Sequence, residues 1–121
     1  MSRTLDPEDD KLAVLARAAM ARVGADQGAA VRDGDGRSYA AAGVALPSLR
    51  LSALQLAVAQ AVAAGAEELE AAVLVSADGS DPDGLAAVRD VSSSAPVFAV
   101  TGDVITQVAP RRPESPGTMA P

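Results

Sequence analysis

Few side chains in this sequence could carry chemistry, and their types set the first boundary. There is no histidine and no cysteine, so the usual imidazole base and the thiolate nucleophile are both missing, along with the two donors that most firmly hold zinc. What remains is carboxylate and hydroxyl chemistry. Asp78, Asp81 and Asp83 cluster in Asp78-Gly79-Ser80-Asp81-Pro82-Asp83-Gly84, where their oxygens could meet a hard cation. A full calcium loop would place a glutamate at its twelfth position, however, and counting from Asp78 reaches Arg89. Turn formation and helix capping therefore account better for these aspartates. Asp33 and Asp35 could pose as an acid and base, but they flank Gly34 in a hairpin expected to be exposed, where nothing would tune a pKa.

Ser52 is the candidate nucleophile. It needs a base, and Lys11, the only lysine, lies on an expected solvated helix face. Ser52-Ala53-Leu54-Gln55 fits the S-x-x-Q capping box instead, in which serine and glutamine satisfy orphaned N–H groups at a helix start.

The elements that would position these residues follow from periodicity. Asp6 before Pro7 predicts an N-cap, and Leu12, Leu15, Ala16, Ala19, Met20 and Val23 mark a helical stripe that ends at Gly24. Gly28 to Val31 and Ser38 to Ala42 predict two antiparallel strands around Asp33-Gly34-Asp35-Gly36. A second helix is predicted within Leu49 to Ala64. It is apolar on nearly every side, and such a helix needs cover all round. Ala71 to Val75 has the continuous apolar character of a strand buried on both faces. Asp81-Pro82 starts a short third helix through about Val91, and Pro96 to Thr101 and Val104 to Val108 complete the strands. The expected order is αββαβαββ, an α/β domain with a five-stranded mixed sheet spanning residues 1–108. The proline-rich stretch 109–121, with the basic doublet Arg111 and Arg112, is expected to be a disordered tail.

Composition narrows the partners. With 121 residues and a net charge of −6, the chain lacks the clustered basic charge that tracks phosphates, so nucleic acid is not expected. The stretch from Leu51 to Ala64 is too short to span a bilayer. The acidic start and the absence of cysteine point to the cytoplasm. Only 2% of residues are aromatic, so the core is built from small side chains that bury little area each, which favours support from subunit contacts.

The segment Gly28-Ala29-Ala30-Val31, the hairpin end Asp35-Gly36-Arg37-Ser38-Tyr39 and the helix end Ala61-Val62-Ala63-Ala64-Gly65 together resemble the small, homotetrameric cytidine deaminases, over roughly residues 7 to 108. The resemblance implies a three-layer α/β/α fold. In that family a Cys-Ala-Glu or His-Ala-Glu opens the second helix and Pro-Cys-x-x-Cys opens the third, holding a zinc whose water attacks the base. The resemblance places Ser52 at the first ligand position, Leu54 at the proton-shuttle position, and Asp83 and Ala86 at the two thiolate positions. The family's nucleoside-binding groups fall near Gly43 and Ala45. With these roles vacant, the expectations are no catalytic residue, no metal, no cofactor and no enzyme: an inactive relative serving as a homo-oligomeric scaffold, dimer or tetramer, or as a module for an unidentified protein partner. The alternative is a pocket bordered by Gly43, Ala45, Pro47, Ser52 and Asp83 that binds a nucleoside or small molecule without converting it. Leu46, Leu49, Leu51 and Leu54 are expected to fill that pocket. A less favoured alternative is an enzyme of different chemistry using Ser52, Asp81 or Asp83.

Overall fold

A computed structural model describes residues 4–109; the expected tail beyond Ala109 lies outside the described residues. Helix α1, Pro7–Val23, starts where the Asp6 side chain accepts from the Asp9 N–H and ends at Gly24, whose φ of 66° is the left-handed conformation that glycine takes most cheaply. Its buried side is Asp9, Leu12, Ala13, Ala16 and Ala19. Leu15 and Val23, expected on the inner stripe, are instead 40% and 65% exposed. The helix has turned toward Asp9 because that carboxylate has a cationic partner on the sheet.

Strands β1 (Gly28–Asp33) and β2 (Ser38–Ala42) form the predicted antiparallel hairpin. Two further strands, β3 (Val44–Leu46) and β4 (Leu49–Leu51), form a separate ribbon; β4 occupies the start of the range expected for the second helix, and β3 lies in a stretch for which no element is expected. Helix α2 is Ala53–Ala63, followed by β5 (Leu69–Val75), α3 (Pro82–Val91), β6 (Val97–Thr101) and β7 (Val104–Ala109). The main sheet has the order β2-β1-β5-β6-β7. It is mixed: β5 and β6 are parallel and the other neighbours antiparallel.

Alternation along the strands divides the core into two layers. Ala30, Val73, Phe98 and Val100 face α1, while Ala29, Val31, Leu74 and Val97 face α2 and α3. The result is the expected α/β/α sandwich. The α1 layer is close, since a Cβ on Gly28 would collide with the carbonyl oxygen of Ala16. Arg89 ties down the end of α3 by donating to the carbonyls of Ser92 and Ala95, which satisfies acceptors near the negative end of the helix.

Candidate functional site

The start of α2 and the start of α3 meet on one face of the sheet. At α2 the Ser52 hydroxyl accepts from the Gln55 N–H at 3.1 Å, and the Gln55 side chain accepts from the Ser52 N–H at 2.9 Å. Both halves of the capping box are made. At α3, Asp81 Oδ1 accepts from the Gly84 N–H at 2.9 Å. Its Oδ2 is buried without a hydrogen-bond partner among the described residues.

Leu54, the second residue of α2, is 1% exposed and lies within the core. It packs on Gly84: a Cβ there would lie 2.6 Å from Leu54 Cβ, far inside the ~3.5–4.0 Å of ordinary carbon contact. Gly84 and Val88 are the buried residues of α3, whereas Asp83 and Ala86 are exposed. Beside this junction lies a cavity of about 200 Å³, lined by Leu54, Leu74, Leu85 and Val97 together with Ser80 and Asp81.

Of the residues singled out in sequence, only Leu54 and Asp81 line that cavity. Gly43 lies beside α2, since a Cβ on it would be 3.5 Å from the Leu51 carbonyl oxygen and 3.6 Å from the Ala53 nitrogen. Ala45 and Pro47 are exposed on the β3–β4 ribbon. Leu46 and Leu49, expected to fill the pocket, are 54% and 49% exposed. The two face each other as a cross-strand pair on the ribbon. The signal missed in sequence was Gly84, whose lack of a side chain admits Leu54.

The aspartates divide by environment. Asp78 Oδ1 accepts from the Ser80 N–H at 3.0 Å, a turn contact. Asp33 contradicts the exposed reading, being 3% exposed. Its Oδ1 accepts from the N–H groups of Asp35 and Arg37, each at 2.9 Å, and its Oδ2 from the Tyr39 hydroxyl at 3.3 Å. Burial works to raise its pKa, but the Arg37 and Asp35 N–H groups, the Tyr39 hydroxyl and the Arg37 charge together hold it below the ordinary aspartate value. This carboxylate knots the β1–β2 turn. Asp35 remains exposed, so no acid/base pair is formed.

A zinc ion of the kind the resemblance implies does not fit these residues. Ser52 is committed to capping, Leu54 and Ala86 have no donor, and Asp83 faces solvent. No group of three or more metal-capable side chains occurs among the described residues. The third alternative fares similarly, since Ser52 and Asp81 both serve as caps.

Comparison with known proteins places this geometry. A family model described as cytidine deaminase-like matches residues 5–104. The cytidine deaminase from Mycobacterium leprae superposes with a TM-score of 0.65 at 21% identity, covering 84% of this chain and 94% of its own. A point mutant of the cytidine deaminase from Mycobacterium tuberculosis gives 0.64 at 22% identity, covering 86% and 92%. No curated protein matches the sequence. These matches overturn the expectation that the chain stands outside the enzymes: the matching model and both neighbours are of cytidine deaminase kind. The absence of one ligand set does not by itself entail the absence of activity.

Proposed function

The chain belongs to the cytidine deaminase-like family, and from that premise we propose that it works as a homo-oligomeric, cytoplasmic protein-interaction module built on that fold. The observation that carries this reading is the outer surface of α2. The helix has no charged residue, yet Ala59, Gln60, Val62 and Ala63 are exposed, Val62 to 48%. The β3–β4 ribbon just before it adds exposed Leu46 and Leu49. A two-stranded ribbon is marginal by itself in water, and uncharged surface of this kind is the usual composition of a subunit contact. The lack of cysteine is compatible with a reducing compartment, and no helix among the described residues is long and apolar enough to cross a membrane.

Light scattering on the purified full chain tests the proposal. A dimer or tetramer is expected, and Val62→Glu, placing charge on the outer face of α2, should shift the population toward monomer. Wild-type protein that remains monomeric at high concentration would refute it.

A second reading, favoured by the cavity beside Leu54, is a pocket that holds a small molecule. Its volume of about 200 Å³ falls below the roughly 300–1,000 Å³ of usual ligand sites, so it suits a fragment smaller than a nucleoside. Calorimetric titration with cytidine and with cytosine separates the two: saturable heat with cytosine alone supports this pocket, and no heat with either rejects it.

A further inference from the structure

The seam between α2 and α3 is where the resemblance would put a metal, with ligands drawn from both helix starts. We infer that in this chain the two helices are clasped there by direct packing of Leu54 on Gly84, making the junction independent of metal. Three observations carry this. The contact is so close that any side chain at position 84 would overlap Leu54 Cβ, at 2.6 Å, and also meet Asp81 Oδ2. Both contacting residues are buried, Leu54 to 1% exposure. Each helix start is capped by its own residue, Ser52 through the capping box and Asp81 through the Gly84 N–H, so the Ser52 hydroxyl and Asp81 Oδ1 are already engaged in holding their own helices.

A metal that joins two elements contributes its binding free energy to folding, and chelation then lowers stability. A clasp made by packing has the opposite signature: it ignores chelators and is sensitive to a single methyl group. Asp83, next to Gly84 but exposed, supplies the internal control, because a metal-based junction would use its carboxylate and a packed one would not.

The experiment measures thermal unfolding of the full-length protein as purified, after exhaustive EDTA treatment, and with excess zinc chloride, alongside elemental analysis for zinc. The melting temperature should be the same in all three conditions, with no stoichiometric zinc. Gly84→Ala should lower it by at least about 5 °C, while Asp83→Ala leaves it nearly unchanged. Failure of Gly84→Ala to fold, beside a folded Asp83→Ala, is the same result in stronger form. Stoichiometric zinc, a melting temperature that falls with EDTA or rises with zinc, or a Gly84→Ala protein as stable as wild type would each overturn the inference.

Discussion

Arg32 on β1 donates through Nη2 to Asp9 Oδ1 on α1 at 3.0 Å, and this pair, with side chains 14% and 10% exposed, fixes which face of the first helix meets the sheet. Arg32 Nε also donates to Glu70 Oε1 at 2.9 Å. Burial works against the charged guanidinium, yet the hydrogen bonds and charges of Glu70 and Asp9 hold its pKa above the ordinary value. Removing Asp9 leaves the half-buried Arg32 guanidinium with Glu70, whose own side chain is 46% exposed, as its remaining carboxylate partner, and unpairs the Nη2 donor. Asp9→Ala should therefore cost about 2 kcal/mol, read from chemical denaturation, whereas Asp10→Ala, on the exposed side of the same turn, should cost far less.

The Asp33 knot predicts acid sensitivity of definite sign. Its folded-state pKa is depressed, so the stability it contributes is fully present above the unfolded aspartate value of about 3.9. That stability is lost as pH falls through the folded value. Melting curves between neutral and acid pH should show wild type losing more stability below about pH 4 than Asp33→Asn does. Parallel curves for the two proteins would mean that this carboxylate is not a source of the acid response.

At Ser52 the capping and nucleophilic roles separate by substitution. Ser52→Ala removes the acceptor for the Gln55 N–H and should cost about 1 kcal/mol. Ser52→Asp, which cannot act as a hydroxyl nucleophile but caps well, should restore most of it. If the aspartate variant is as unstable as the alanine one, the cap is not what Ser52 contributes.

Glycine substitutions map the close approaches. Gly28→Ala should destabilise by about 3 kcal/mol or more, because the new methyl meets the Ala16 carbonyl oxygen between α1 and β1. Gly43→Ala finds its nearest neighbours at 3.5 and 3.6 Å and should be tolerated within about 0.5 kcal/mol. Urea titrations of the two variants would distinguish packing constraint from a general intolerance of alanine.

Most of the sandwich was legible because local signals agreed with the global arrangement. Asp6-Pro7 and Asp81-Pro82 marked true helix starts, Gly24 a true stop, and the apolar run at Ala71 to Val75 a strand covered on both faces. The β3–β4 ribbon escaped because Leu49 and Leu51 continue the apolar run of α2, and periodicity alone does not divide strand from helix in a short run. The capping box at Ser52 already held the boundary, since a cap at that position forbids helix before it. Asp33 was misjudged for another reason. A D-G-D-G turn signals exposure of the turn, but not that one of its carboxylates folds inward to accept from Asp35, Arg37 and Tyr39. The Leu54–Gly84 seam was invisible, because it depends on two helices brought together by the intervening strand β5.

Sedimentation equilibrium across a wide range of protein concentration, comparing wild type with Leu49→Asp and Val62→Glu, addresses the oligomeric module most directly. The account predicts a dimer or tetramer for wild type and a shift to monomer in the variants without loss of helical signal. A wild-type monomer throughout, or an assembly indifferent to charge at both positions, would contradict it.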